Sequence, residues 1–390
     1  MKAVILAAGE GQRLRPFTAT KPKVMIKVGN KPILEYVVEA LKNSGVRDLT
    51  MVVGYKKDRV MDYFGNGKNF GVRIDYVIQK QQLGTAHALK QVEGKVSGKF
   101  IVLPGDNIID SKTVESVISS EGYSIVYKVV KEPTKYGVLI VENGAVKKIV
   151  EKPKEEVSYL ANTGIYLLDD GIFEFIGEER DLPNVINRMI ESGKEFAAIR
   201  SEGVWLDVVY PWDIPKVNDL ALSFRGKRIA GKVERGATIV GDVLIGKGSV
   251  VRSGAYIRGP AIIGENCEIG ANSVILPATS IGDNAKIEEF SRVENCVIAE
   301  NVTVGANSYL KDSVIDSGTV IEPKTVFMSE RSEVRVDGEV REVKAGAFVG
   351  EGCRIGAGSV LRGGTIVGNY CNIAPLKVVH GKLEDNARVL

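Results

Sequence analysis

From Val233 to Val293 every sixth residue is valine or isoleucine: Val233, Ile239, Ile245, Val251, Ile257, Ile263, Ile269, Ile275, Ile281, Ile287 and Val293. An α-helix repeats every 3.6 residues and a simple strand every two, so neither produces this pattern. Three short strands per coil do, when each side of the coil turns one β-branched side chain inward. Glycine often follows the inward residue, as at Gly246, Gly264, Gly270, Gly282 and Gly356. A second register runs through Val349, Ile355, Leu361, Val367, Ile373 and Val379. Between the two, the count slips through Ile298, Val304, Leu310 and Ile315, and residues 322–345 leave the repeat. There, EVRVDGEVREV over 333–343 reads as two alternating strands around Asp337-Gly338, a hairpin projecting from the coil. The pattern predicts a left-handed parallel β-helix of hexapeptide repeats over 226–390. A coil of this kind buries its interior fully only when stacked on its neighbours.

Residues 1–225 carry a different rhythm. Short apolar runs at 3–8, 49–54, 72–78 and 100–103 read as buried strands. Between them, residues 33, 34, 37, 38 and 41 form an apolar stripe of helical spacing. Strands alternating with helices predict a Rossmann-like α/β domain with a mostly parallel sheet, whose ligands bind beyond the carboxyl ends of the strands. In GVLIVENGAVKKIVEK (137–152), Asn143-Gly144 between alternating runs signals a β-hairpin.

The stretch directly behind the first strand, LAAGEGQRLRPFTATKPK (6–23), combines two glycines with Arg13, Arg15, Lys21 and Lys23. Glycine lets a backbone approach a phosphate closely, and Arg and Lys supply charge and donors to a polyanion. No GK[ST] closes the loop as in a Walker A motif, and Leu14 stands where a dinucleotide fingerprint needs Gly or Ala. By itself the loop reads as a phosphate cradle or as a solvated connection.

Composition excludes several classes. Fifty-two basic and 49 acidic residues leave a net charge of +3, which gives no reason to invoke nucleic acid or an anionic membrane. No apolar run reaches the 18 residues or so that a membrane span requires. Four separated cysteines without a CxxC pair suggest buried thiols in a cytoplasmic protein. With only His87 and His380 in the chain, a histidine-based zinc site is not expected.

Written as LAAGxGxRLxPxTxxxPK, the 6–23 stretch resembles the nucleotide-binding signature of the sugar-1-phosphate nucleotidylyltransferases. Further matches follow in order: QKQQLGTAH at 79–87, LPGDN at 103–107, YGV at 136–138, EKP at 151–153, NTG at 162–164 and WLDV at 205–208. The resemblance implies transfer of a nucleotidyl group, most readily from UTP or dTTP, to a hexose or N-acetylhexosamine 1-phosphate. It implies nucleotide contacts at Leu6, Ala8, Gly9, Gly11, Gln79, Gln82, Gly84 and Thr85. It also implies catalytic roles for Arg13 and Lys23, sugar contacts at Gly137, Glu151, Lys152 and Asn162, and Mg2+ on Asp106 and Asp207. His87, on a helical stretch between two alanines, reads as a packing or local hydrogen-bonding residue.

Taken whole, the chain resembles bifunctional enzymes that join a uridylyltransferase to a hexapeptide acetyltransferase, which generally assemble as trimers. Their catalytic histidine segment, HLxYxGD, aligns here with EFSRVEN at 289–295, so Glu289 replaces the histidine. His380 lies beyond the usual position. An assembly role for the β-helix is therefore expected ahead of acetyl transfer.

Overall fold

The computed structural model describes residues 1–390 apart from Phe224, Asp337 and the side chain of Glu339. It divides into two compact units. The first holds residues 1–10, 22–25 and 32–207; the second holds 11–21, 26–31 and 208–390.

The first unit is built on a nine-stranded mixed sheet. Strands Arg73–Ile78, Asp48–Val53, Lys2–Ala7 and Phe100–Pro104 lie side by side and parallel, with Lys2–Ala7 flanked on both edges. Beyond Phe100–Pro104 the sheet continues with Leu160–Leu168, which runs antiparallel to it, so the parallel half ends there. Alternate residues of Lys2–Ala7 enter different cores. Ala3, Ile5 and Ala7 pack on one face with helix Ile33–Asn43, while Val4 packs on the other with Leu89 and Phe100. A strand buried on both faces must be apolar throughout, which explains the unbroken run in the sequence. The helix buries Ile33, Leu34, Val37, Val38 and Leu41, the residues of the predicted stripe. The hairpin pairs Val138–Glu142 with Ala145–Val150, and Asn143 and Gly144 both take positive φ, as a two-residue turn requires.

In the second unit three parallel sheets of nine, nine and eight strands form the sides of the left-handed β-helix. Val243 pairs with Ala261 one coil later, so a full coil takes three six-residue sides. The slip in the count is a one-residue contraction: Ile281 pairs with Ile298, and Ile298 with Ile315. The inward residues form one continuous apolar column. Gly264 follows inward Ile263, and a Cβ there would lie 2.8 Å from the carbonyl carbon of Gly282 in the next coil. The stacking leaves no room for a side chain at that corner.

The coil continues through Ile321 and Phe327, both fully buried, so the excursion begins later than the 322 expected. Phe327 fills an inward position with a ring, which a search for small β-branched residues passes over. The hairpin pairs Glu330–Val336 with Glu339–Ala345. Of its expected turn, Gly338 takes φ 79°, while Asp337 lies outside the described residues. All four cysteines are free and buried. No helix among the described residues is long and apolar enough to cross a membrane.

Candidate active site

Strands Lys2–Ala7, Asp48–Val53 and Phe100–Pro104 end together, and two backbone bonds tie their carboxyl ends. Gly105 N donates to Leu6 O (2.9 Å), and Tyr55 N donates to Ala8 O (3.1 Å). Leu6 and Ala8 therefore shape the floor through their backbone. Gly9 is exposed, with nothing within 4 Å of where a Cβ would stand, as close approach of a ligand to the main chain requires.

Asp106 comes one residue after Gly105, which is pressed against Ala7 and Leu34. Asp207 closes strand Trp205–Asp207, which pairs antiparallel with Asn107–Ile109 so that Asp207 stands opposite Asn107. This pairing brings the two carboxylates to one point. Lys23, in the one-turn helix Lys23–Met25 anchored by buried Val24 and Met25, reaches both. Its Nζ lies 2.6 Å from Asp106 Oδ2 and 3.0 Å from Asp207 Oδ1. Burial alone would lower the pKa of Lys23, but the two carboxylates more than reverse this and raise it. The ammonium is therefore a permanent cation held between two anions.

The same pair fits a divalent cation. Two convergent carboxylates are hard oxygen donors, and the lysine already shows that a positive charge is accommodated between them. Among the described residues no group of three or more His, Cys, Asp or Glu is placed to hold a metal. An ion here would complete its shell with water and substrate phosphate oxygens, as Mg2+ commonly does.

The 79–85 segment is held largely by its own side chains. Gln79 is 2% exposed; its Nε2 lies 3.2 Å from Gly84 O and 2.8 Å from His87 Nδ1. Gln82 is exposed, and its Nε2 donates to Gln79 O at 3.2 Å. Thr85 Oγ1 accepts from Leu182 N (2.9 Å), while Gly84, at φ 133°, leaves no space for a side chain beside Arg180 O. Buried Gln79 thus supports the loop from beneath, Thr85 ties it to Leu182, and Gln82 is an amide at its surface.

Gly137, Glu151 and Asn162 are brought together in the antiparallel half. A Cβ on Gly137 would lie 2.6 Å from Glu151 Oε2. Asn162 N donates to Gly137 O (2.8 Å), and its Nδ2 donates to the Tyr166 hydroxyl (2.7 Å). Burial, together with the charge of Glu151, raises the pKa of Tyr166 and keeps it protonated. Lys152 follows Glu151, exposed and at φ 40°.

In the second unit, Gly11 takes φ 77° ahead of the one-turn helix Gln12–Leu14 that carries half-buried Arg13. Lys21 is committed elsewhere: its Nζ lies 2.6 Å from Asp316 Oδ1.

Sequence reading missed the support under Asp207. Asp110 Oδ1 caps helix Ser111–Ile118 at Thr113 N (3.0 Å), and Thr113 Oγ1 donates to Val204 O (2.8 Å) and lies 3.1 Å from Ser201 Oγ. Gly203 fits only because it lacks a side chain beside Asp110 and Thr113. Asp110 as an N-cap residue ahead of Ser-Lys-Thr was the available signal.

Residues 2–221 match the Nucleotidyl transferase family, more than half of the chain. The chain belongs to that family. Residues 257–341 match the GMPPB C-terminal domain and 346–381 the six-repeat bacterial transferase hexapeptide family. The nucleotidyl transferase is 36% identical over 408 residues to a protein named bifunctional protein GlmU from Methanococcus maripaludis, covering 100% of this chain and 97% of that one. It is 34% identical to a bifunctional sugar-1-phosphate nucleotidylyltransferase/acetyltransferase from Sulfurisphaera tokodaii, covering 97% of each. Among solved structures, it resembles a putative glucose-1-phosphate thymidylyltransferase from Bacillus anthracis, at 30% identity and a TM-score of 0.53. That match covers 58% of this chain and 98% of the other.

Proposed function

We propose that this nucleotidyltransferase moves a nucleotidyl group from UTP or dTTP to a hexose or N-acetylhexosamine 1-phosphate, releasing pyrophosphate. The observation that carries the reading is the meeting of Lys23, Asp106 and Asp207 at the carboxyl ends of the central strands. A phosphate oxygen of the sugar 1-phosphate attacks the α-phosphorus in line and the pyrophosphate leaves. The attacking phosphate is already ionised at neutral pH, so no general base is needed, and the protein positions and neutralises. Lys23 neutralises charge around the α-phosphate. Arg13 is assigned the leaving pyrophosphate on the resemblance. Glu151 accepts from sugar hydroxyls, Asn162 bonds a hydroxyl or acetamido group, exposed Lys152 meets the sugar phosphate, and Gly137 leaves its backbone open to the ring. Asp106 and Asp207 would hold Mg2+, which supplies Lewis-acid neutralisation of the phosphates when bound.

A grid of UTP, dTTP, GTP, CTP and ATP against glucose, N-acetylglucosamine, glucosamine and mannose 1-phosphates, read as pyrophosphate release with Mg2+, tests this. Release that needs both partners supports the reading and names the substrates; silence from folded protein overturns it.

A second reading adds acetylation of an amino-sugar 1-phosphate from acetyl-CoA. It is favoured by the similarity, over 97% or more of the chain, to proteins named as bifunctional. Against it, Glu289 is exposed in place of the expected histidine, and the neighbouring Arg292 is paired with Glu294 at 2.9 Å. Free CoA released from acetyl-CoA and glucosamine 1-phosphate decides between the two. The β-helix is assigned a trimeric or trimer-based assembly on the resemblance, and the enzyme a cytoplasmic setting on its free cysteines.

A further inference from the structure

The segment Gly11–Lys21 has little structure of its own. Two three-residue turns, Gln12–Leu14 and Phe17–Ala19, are its only regular elements among the described residues. Turns this short cannot hold a shape alone. Within it Thr18 Oγ1 donates to Gly11 O (2.9 Å), and contacts with the β-helix add to this.

Lys21 and Asp316 are 295 positions apart, yet Nζ and Oδ1 lie 2.6 Å from each other. Asp316 directly follows inward Ile315, and its side chain is 4% exposed. Its Oδ1 also accepts from Ser317 N at 2.8 Å, while Oδ2 is buried with no hydrogen-bond partner. A carboxylate enclosed in this way requires a cation, and Lys21 supplies it. At the middle of the segment, Asn369 Nδ2 donates to Pro16 O at 3.2 Å; Asn369 is 1% exposed and is braced by Asp385 and by the Glu351 amide.

The following segment of the same unit, residues 26–31, is tied in the same fashion. Asn30 Nδ2 donates to Ile281 O (2.7 Å), and Lys27 Nζ pairs with Glu300 (3.2 Å). Ile281, Glu300, Asp316 and Asn369 fall at or just beyond the ends of strands Thr279–Ile281, Val297–Ile298, Val314–Ile315 and Ile366–Val367. These four strands belong to one sheet of the β-helix. The carboxyl ends of these strands therefore form a row of anchors for the stretch of chain on either side of residues 22–25.

We propose that Asp316 and Asn369 are positioning residues for nucleotidyl transfer: they fix the segment that carries Arg13 and that leads through Pro22 to Lys23. The inference rests on the reading of Arg13 as the pyrophosphate-binding residue. It gives the β-helix a part in the first reaction, whatever becomes of acetyl transfer.

The test uses the full chain, with Asp316→Asn, Lys21→Met and the double variant assayed in the reverse direction, pyrophosphate plus sugar nucleotide. Each single variant should raise the KM for pyrophosphate by about tenfold and leave that for the sugar nucleotide within about twofold, since the lost interaction concerns one substrate. The double variant should match the worse single, because both remove one contact. Lys21→Met alters only a partly exposed side chain, so it carries the test if Asp316→Asn does not fold. Unchanged pyrophosphate KM in folded Lys21→Met, or an equal rise for both substrates, overturns the proposal. Arg13→Ala separates the two readings: a normal pyrophosphate KM there removes the Arg13 assignment, irrespective of Asp316.

Discussion

The side-chain amide of Gln79 lies 2.8 Å from Nδ1 of His87, and through this contact the only histidine of the first unit supports the 79–85 loop. With Gln79 Nε2 as donor both here and to Gly84 O, Nδ1 acts as the acceptor. A buried hydrogen bond of this type is worth about 1 kcal/mol, and stranding its partner costs somewhat more. His87→Ala should therefore lower kcat/KM for the nucleoside triphosphate by roughly tenfold. The KM for the sugar 1-phosphate should stay unchanged in the same steady-state experiment. Equal losses for both substrates would return His87 to a packing role.

Lys23 and a divalent cation favour the same two carboxylates. Lys23→Met should lower kcat by roughly two to three orders of magnitude, as loss of a preorganised charge stabiliser does. It should also tighten Mg2+ binding in the absence of substrate, because the competing ammonium is gone. Titration calorimetry of the variant with Mg2+ alone reads the second effect, independently of turnover.

Gly137→Ala places a methyl group 2.6 Å from the present position of Glu151 Oε2. Glu151 is exposed and can swing away, so the unfolding free energy should change by less than about 0.5 kcal/mol. The displaced carboxylate should instead raise the KM for the sugar 1-phosphate several-fold. Thermal unfolding and substrate-saturation curves measured on one preparation separate the two.

Cys296 is enclosed in the β-helix, and burial pushes its thiol up to about 12 from an ordinary value of 9. The folded state thus binds this proton more tightly than the unfolded chain. The contribution is fully present below pH 9 and is lost as pH rises towards 12. Denaturant unfolding across that window should show falling stability, and Cys296→Ala should flatten the fall. Thiol reagents at neutral pH should modify the native protein only as fast as it unfolds.

What the sequence disclosed depended on repetition and locality. Val233 to Val293 announce the β-helix because each coil repeats one packing demand on the same residue type. Asn143-Gly144 announced its hairpin because turn chemistry is local. Asp106 and Asp207 were recognisable as members of an ordered motif, although nothing in their spacing says that Lys23 stands between them. Lys21 looked like its neighbours Arg13, Arg15 and Lys23, a cation available to phosphate. Only a carboxylate from a distant coil reveals its different employment. Gln79 looked like a base-reading amide, and its burial against His87 comes from the way a strand end meets a short helix, which leaves no period to detect. Phe327 was hidden for a simpler reason, since a ring took a place where the pattern favours small branched side chains.

The 295 positions that separate Lys21 from Asp316 also set a schedule. A chain leaves the ribosome amino-terminus first, at about 5–20 residues per second, so Lys21 emerges tens of seconds ahead of its partner. The central strands can pair during that interval, for the last of them ends at Pro104. The segment bearing Arg13 must wait until the solenoid has wound past residue 316. On the proposal made for Asp316, a nascent or truncated polypeptide carries the nucleotide signature before the clasp that fixes the segment around Arg13 can form.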